Sequence, residues 1–196
     1  MSKLTAEEFY SFEDYTSKRH LFSQVVNEHK TNRHVHLGTC LDLQFEDKLT
    51  VKYQLQERLI SERMNMEEQL ASALEAYNKL IPDGKNWKVS VRLSLQGESS
   101  CQDRLMQLIG LENKLWVQAG HFSKIFSVSD NSLANGEKMK MGFHHVCFEL
   151  PDDVIMAINS GDVVTLGCDH PNYPYKTRLN QAQQLALRKD LEMNYN

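Results

Sequence analysis

The most regular alternation of apolar and polar residues in the chain runs from position 87 to position 95. Five apolar residues at every second position would share one face: Trp87, Val89, Val91, Leu93 and Leu95. Lysine, serine and arginine side chains fill the positions between them, so this period predicts a strand with one packed face and one wet face. A sheet with an open face is typical of antiparallel rather than doubly buried parallel architecture.

Further segments show strand-like patterns at 33–45, 114–119, 123–128, 141–150 and 163–168. The first of them predicts a hairpin, because Gly38 and Thr39 stand where a tight turn can join two short strands. Its histidines, His34 and His36, would share the face opposite Val35. Two imidazoles at this spacing can bind a metal ion, although exposed polar residues have the same pattern.

Apolar residues recur at helical spacing in the remaining segments. Thr5 and Glu8 form a capping-box pair that predicts a first helix reaching about Asn27. Further helices are predicted within 45–63 and at 66–81, 102–109, 151–160 and 180–191. Residues 129–140 have the composition of a loop. The chain is therefore predicted to be one α+β domain over residues 1–196, a mainly antiparallel mixed sheet with helices packed on one side.

The stretch Phe45–Arg63 passes from a strand into a helix that carries a polar stripe. Gln54, Glu57 and Arg58 share that stripe, whereas Leu49, Tyr53 and Ile60 lie on another face. Two interpretations follow. The stripe is either a solvated surface with an intrahelical pair between Arg58 and Glu62, or the wall of a pocket lined by Glu57.

The charge balance narrows the choice of partners. The 196 residues carry 22 basic and 26 acidic side chains, a net charge of −4, which lacks the basic excess that nucleic-acid binding requires. We therefore expect no nucleic acid as a partner.

Neither a secretion signal nor a membrane span is indicated. The amino-terminal segment has acidic residues where a signal peptide needs a basic flank, and no apolar run reaches about 18 residues. The expected compartment is the cytoplasm. The cysteines at 40, 101, 147 and 168 contain no C-x-x-C pair, so free and mostly buried thiols are expected.

Scattered histidines and carboxylates support one chemical hypothesis. A pocket of Glu57, Arg58, Glu62, His144, His170 and Tyr173 would be a buried polar or ligand-binding site. Within it, Glu57, His144 and His170 supply the mixed nitrogen and oxygen donors that suit iron, manganese or zinc, which would make the protein a metal-dependent enzyme. The alternative is structural, with His144 satisfied by a carboxylate such as Glu57, and with His170 capping a loop.

A second hypothesis is a non-catalytic accessory protein that acts with a partner, in a homo-oligomer. Motifs of other enzyme classes are missing from the sequence, among them the nucleophile elbow, the P-loop and the dinucleotide fingerprint. Cys147 lies two positions from His145 on one strand face, where either a nucleophile or core packing is compatible with the pattern.

Several ordered segments together resemble a known bacterial family. They are Phe45 with Glu46, Gln54–Glu57 with Glu62, Ala76–Gly84, Ile109–Val117, His144 with Phe148, and Asp169–Tyr173. Over nearly the full length, about Leu4 to Leu191, the chain resembles the domain-of-unknown-function family numbered three thousand five hundred and one.

Three positions depart from the pattern of that family. Ile60 and Cys147 stand where arginines are expected, and a glutamate expected near Leu95 is missing, so this chain is a divergent member. The resemblance carries no established activity. It implies a link to rubrerythrin-like or iron–sulfur redox proteins, and thereby to iron or peroxide stress.

Overall fold

A computed structural model describes residues 2–63, 66–94, 106–129 and 143–191 of the chain. The helices in this part are α1 (Phe12–Thr31), α2 (Lys48–Ser61), α3 (Met66–Asn78), α4 (Asp152–Ser160) and α5 (Gln181–Arg188). The strands are β1 (His34–Leu37), β2 (Leu41–Phe45), β3 (Asn86–Leu93), β4 (Leu115–Ala119), β5 (Ile125–Phe126), β6 (Val128–Ser129), β7 (Phe143–Glu149), β8 (Val164–Cys168) and β9 (Lys176–Arg178). The predicted α+β class is confirmed.

Side-chain caps determine where the helices begin. Asp47 precedes α2 and accepts the backbone N–H of Thr50 at 2.9 Å, while the Thr50 hydroxyl accepts the N–H of Asp47. The predicted pair of Thr5 and Glu8 forms, but it opens only a 3₁₀ turn. The first long helix begins later, because the Ser11 hydroxyl caps it by accepting the N–H of Asp14.

The strands form two antiparallel sheets, not the single sheet with helices on one side that the pattern predicted. The first has the order β1-β2-β3-β7-β6 and the second the order β5-β4-β8-β9. The predicted strand at 123–128 divides between them, because Phe126 pairs with Trp116 and Val128 pairs with Cys147. The Ser127 N–H donates to the carbonyl of Leu115 at the crossing.

The apolar faces of both sheets meet in one core. Trp87, Val89 and Val91 of β3 share it with Leu115 and Leu166 of the second sheet. The alternation in β3 predicted the packed face correctly. The predicted wet face is only partly exposed, because Arg92 is exposed and Lys88 is half-buried, but Ser90 is buried against Glu46. The predicted hairpin of β1 and β2 is also confirmed.

Helices α1, α2 and α3 form a layer with small apolar clusters of its own. Helix α2 buries Val51, Leu55 and Leu59, against α3 and the segment that follows α3. The sequence placed the packed face on Leu49, Tyr53 and Ile60, and these are only half-buried. The buried face of α2 differs from the predicted one because α2 contacts both α1 and α3.

The carboxyl-terminal helix α5 is fastened to the sheets by a buried arginine. The Arg33 side chain is 2% exposed and donates to the carbonyls of Phe45, Glu46 and Ala186 and to the carboxylate of Asp190. The Trp87 indole N–H donates to the carbonyl of Leu187 at 3.1 Å. These bonds hold residues 186–190 against the first sheet.

The remaining predictions have mixed outcomes. The helices predicted at 151–160 and 180–191 are confirmed as α4 and α5, and strand β9 was not predicted. Ser129, the first residue of the predicted loop at 129–140, belongs to β6. The rest of that loop and most of the predicted helix at 102–109 lie outside the described residues. None of the helices in the described part is both long and apolar enough to cross a membrane.

Candidate functional site

A narrow groove with an aromatic wall lies between α1 and α2. Its lining residues are Tyr10, Tyr15, Phe22, Val26, Leu49, Lys52, Tyr53 and Gln56, and its volume is about 50 Å³. A bound water occupies roughly 10–15 Å³ by this kind of measure, so the space suits the end of one apolar side chain. We refer to these eight residues as the α1–α2 groove.

Ring contacts and backbone hydrogen bonds fix the shape of this groove. The ring of Phe22 lies 5.2 Å from that of Tyr10 and 5.8 Å from that of Tyr15, centroid to centroid. The Gln56 side chain accepts the N–H of Tyr10 at 2.9 Å and donates to its carbonyl at 3.2 Å. The groove is therefore preformed and needs little ordering when it is filled.

Three lysines surround the aromatic wall. The ammonium groups of Lys18 and Lys52 lie 5.4 Å and 5.9 Å from the ring centroid of Tyr10, and that of Lys30 lies 5.3 Å from the ring of Tyr53. These distances are within cation–π range. None of the three lysines forms an ion pair with a carboxylate among the described residues, so the rim of the groove is positively charged.

Glu57 is not one of the residues that line the groove, but its carboxylate is bonded to Tyr15, which does line it. Its carboxylate accepts the Tyr15 hydroxyl at 2.7 Å and the Arg19 guanidinium at 3.0 Å and 2.5 Å. The Arg19 hydrogen bonds hold the pKa of Glu57 below its usual value, against partial desolvation. Burial, and then the Glu57 carboxylate, raise the pKa of Tyr15. The negative charge of Glu57 is thus paired with Arg19 and not with the lysines of the rim, while Glu8 attracts Lys52.

Arg58 and Glu62 belong to the solvated face of α2. The guanidinium of Arg58 lies 3.0 Å from the carboxylate of Glu62, and the side chains are 45% and 51% exposed. The predicted intrahelical pair is therefore present. At this exposure such a pair contributes about 0.3–0.5 kcal/mol.

Glu57, His144 and His170 do not come together as a metal site. Glu57 is on α2 and bonded to α1, His144 is on β7 of the first sheet, and His170 follows β8 of the second sheet. No three His, Cys, Asp or Glu side chains of the described residues are placed to hold a metal ion. His144 Nδ1 is buried and has no hydrogen-bond partner in that part of the chain, so Glu57 does not satisfy it.

The two histidines of β1 are also held by a carboxylate. His34 Nε2 and His36 Nδ1 lie 3.1 Å and 3.0 Å from the same oxygen of Asp42. Although burial raises it, the pKa of Asp42 is lowered overall by hydrogen bonds from His36 and Ser94. Both imidazoles are therefore bonded to Asp42, a carboxylate on the neighbouring strand β2.

His170 and Tyr173 organise the loop after β8. His170 Nδ1 accepts the N–H of Asn172 at 3.2 Å, which is the loop-capping role considered for it. The fully buried hydroxyl of Tyr173 donates to the carbonyl of Leu37 at 2.6 Å and accepts the N–H of Cys40 at 3.0 Å. Tyr173 thereby joins the loop to the β1–β2 hairpin, and it lies apart from the α1–α2 groove.

Glu46 is a buried carboxylate just before α2, and it was not among the predicted site residues. Glu46 is 1% exposed and accepts hydrogen bonds from Thr50 at 2.5 Å, Gln54 at 2.8 Å and Ser90 at 2.5 Å. Ser90 is also 3.2 Å from His145 Nδ1. With several donors on one carboxylate, Glu46 joins the polar face of the first sheet to the helical layer.

The Cys147 thiol is a poor nucleophile. It is 5% exposed and donates to Glu149 at 2.9 Å. Burial, followed by the hydrogen bond to Glu149, raises its pKa to about 12. The thiolate required for covalent catalysis is therefore scarce near neutral pH, in agreement with the packing interpretation.

The aromatic members of the groove were not selected from the sequence. Tyr10 precedes α1, Phe22 lies on α1, and the pattern places Tyr53 on the packed face of α2. Lysines next to aromatic residues in the sequence, such as Lys52 beside Tyr53, were the available signal, but only the packing of α1 against α2 brings Lys52 to Tyr10.

The fold and the groove together define a class of protein. It is an α+β protein of two packed antiparallel sheets, with a helical layer that carries a cationic aromatic groove. The chain belongs to the family of proteins of unknown function DUF3501, whose model matches residues 3–191. The resemblance found in the sequence is thereby confirmed.

A solved structure supports the same relationship. The crystal structure of a novel protein of unknown function from Burkholderia pseudomallei K96243 has a TM-score of 0.90 and 30% identity to this chain. The likeness covers 97% of this chain and 100% of that one. No curated protein matches the chain.

Proposed function

We propose that this chain is a non-catalytic accessory protein that docks an acidic segment of a partner protein in the α1–α2 groove. One apolar side chain of the partner fills the space beside Tyr10, Phe22 and Tyr53. Carboxylates on either side of that residue pair with the three lysines of the rim. Such a partner is recognised by charge and by a single apolar anchor.

The observation that carries this proposal is a set of three lysines around an apolar space, of which Lys52 is also attracted by Glu8. Lys18, Lys30 and Lys52 stack over tyrosine rings and form no ion pair in the described part of the chain. Burying one apolar anchor contributes about 1.5–3 kcal/mol, and each exposed ion pair about 0.2–1 kcal/mol. These magnitudes favour a transient contact over a permanent assembly.

The resemblance to the family suggests which partner to test first. A rubrerythrin-like or iron–sulfur redox protein of the cytoplasm would be consistent with the link to iron or peroxide stress. In that setting the accessory protein positions or stabilises its partner, while the partner supplies the redox chemistry.

Titration calorimetry with a purified rubrerythrin-like protein from the same organism tests the proposal. We expect saturable binding that weakens as salt rises, because the contact is partly ionic. The double variant Lys18→Glu, Lys52→Glu should weaken binding by roughly tenfold or more, since it replaces two attractions with repulsions. Phe22→Ala should weaken it through loss of the apolar wall.

The matched control is Lys176→Glu, which reverses an exposed lysine on β9 of the second sheet. It should bind like the wild type. Equal weakening by the control and the groove variants would show a general charge effect and would refute docking in the groove. Absence of any binding would refute the redox partner named here.

A further inference from the structure

A second, larger cleft lies where the helical layer meets the first sheet. Its volume is about 710 Å³, and it is lined by Lys3, Glu75, Asn78, Lys79, Ile81, Pro82, Asp83 and Lys88. That volume is within the usual range of roughly 300–1,000 Å³ for small-molecule sites. We refer to these eight residues as the lysine cleft.

Lysines from three separate parts of the fold line this cleft. Lys3 belongs to the amino-terminal segment, Lys79 follows α3, and Lys88 projects from the polar face of β3. Two carboxylates also line the cleft. That of Glu75 is 80% exposed and pairs with Lys79 at 3.8 Å. The three lysines and two carboxylates of the lining therefore leave one net positive charge.

The amino-terminal wall is held firmly enough to place its lysine. The Asn78 side chain accepts the N–H of Leu4 at 2.7 Å and donates to the carbonyl of Leu4 at 3.1 Å. Leu4 is 3% exposed and packs with Val51, Leu80 and Ile81. Lys3 therefore begins from a fixed backbone position beside the cleft.

Lys88 lies at the sheet side of the cleft, where its side chain is hydrogen-bonded to the Cys147 thiol. The neighbouring thiol of Cys147 remains protonated at neutral pH, because burial raises its pKa to about 12. The carboxylate of Glu149 is engaged by Asn86 and by that thiol, and Lys88 forms no ion pair with a described carboxylate. Ile81 and Pro82 add an apolar portion to the lining.

We infer that the lysine cleft binds a phosphorylated small molecule. Lysine ammonium groups act as point charges towards phosphate oxygens, and three of them from different elements can contact one phosphate-bearing group from different sides. The apolar portion at Ile81 and Pro82 would contact the organic part of the ligand. This site is separate from the α1–α2 groove and does not depend on the proposed docking.

Pyrophosphate is a suitable probe, used with the full chain in titration calorimetry at low ionic strength. We expect saturable binding at one site, weakened roughly tenfold by Lys88→Gln, because a charge-assisted hydrogen bond is lost. Asp83→Asn should tighten binding, since it removes a negative charge from the lining. Thermal melting of each variant verifies that it is folded.

Lys85→Gln is the matched control, because Lys85 is three positions away and its ammonium pairs with Asp152 at 3.0 Å outside the cleft. It should bind pyrophosphate as tightly as the wild type. The inference is overturned if pyrophosphate does not saturate the protein, or if Lys85→Gln weakens binding as much as Lys88→Gln. Citrate that binds as tightly as pyrophosphate would equally overturn the preference for phosphate.

Discussion

Arg33 faces two carboxylates in the interior, those of Asp47 and Asp190. Asp190 is 2% exposed, and burial raises its pKa to about 7 against the attraction of Arg33, with the Asp47 charge adding to the rise. The pKa of Asp47 is instead lowered, because Arg33 and the hydrogen bonds from Thr50 and His29 outweigh its desolvation. The pKa values of two neighbouring carboxylates are thus shifted in opposite directions, upwards for Asp190 and downwards for Asp47.

The raised pKa of Asp190 predicts an unusual pH dependence of stability. Its ordinary pKa is 3.8, so the folded protein holds this proton more tightly than the unfolded chain does. The resulting stabilisation is complete below about pH 4 and is lost as the pH rises through about 7. We expect this pH-dependent decrease in the free energy of unfolding to be on the order of a few kcal/mol. It should be absent from Asp190→Asn.

Urea unfolding of the wild type and of Asp190→Asn between about pH 5 and about pH 8 measures the difference. The free energy of unfolding of the wild type should fall relative to that of the variant as the pH rises. Asp152→Asn, at a side chain that is 77% exposed, should follow the wild type. Parallel curves for the wild type and Asp190→Asn would contradict the prediction.

Local spacing in the sequence predicted part of this single-residue chemistry. It selected Glu57 and its helix, and the Arg58–Glu62 pair followed directly from their spacing. The contact between Arg33 and Asp190 could not be predicted, because 157 positions separate the two residues and nothing local marks either one as buried. Contacts within one turn can be read from spacing, whereas contacts between distant elements cannot.

At the scale of elements, the β1–β2 hairpin and the loop at 169–175 form one unit. Gly38 has a φ of +67°, and a Cβ there would lie 2.6 Å from both the Tyr173 hydroxyl and the ring of Tyr175. Gly38→Ala should therefore cost about 2–4 kcal/mol, from left-handed backbone strain and from displacement of the Tyr173 hydrogen bonds. Thermal or urea unfolding measures this loss.

Gly110→Ala separates the two causes. Gly110 has a φ of +82°, but no atom lies within 4 Å of the added Cβ. The variant should lose only the backbone contribution, about 1–2 kcal/mol. Equal losses at Gly38 and Gly110 would show that the tyrosine contacts contribute nothing.

The elements themselves were largely predictable, but their assembly was not. The alternation in 33–45 and the glycine at the turn predict the hairpin. Pro151 and Gly161 delimit α4, and the amphipathic pattern of 180–191 predicts α5. The period of two shows which residues of a strand share a face, but not which sheet the strand joins. Residues 123–128 are therefore predicted as one strand, although 125–126 and 128–129 pair with different sheets.

At the scale of the whole molecule, burial is unevenly distributed. The core between the sheets holds Trp87, Val146 and Phe148 within one large cluster, whereas the helical layer is held by two clusters of four buried residues each. Helix α1 buries only Tyr15 and Val26. We therefore expect the helical layer to open before the sheets do.

Native-state hydrogen exchange measures this difference. Backbone amides of α1 should exchange through openings of lower free energy than those of β3 and β7. Leu55→Ala should lower the opening free energy of the helical layer by about 2–5 kcal/mol and leave the slowest amides of β3 limited by global unfolding. A single common opening free energy for all these amides would contradict the expectation.

The bond between Arg33 and Asp190 also bears on how the chain is made. The ribosome adds about 5–20 residues per second, so roughly 8–30 s pass between the synthesis of one partner and that of the other. Helices α1–α3 find most of their contacts within residues 4–81 and can pack during that interval. Arg33 and Trp87 cannot form their hydrogen bonds to residues 186–190 during that interval. We therefore expect the nascent first sheet to expose apolar surface to chaperones until those residues are synthesised.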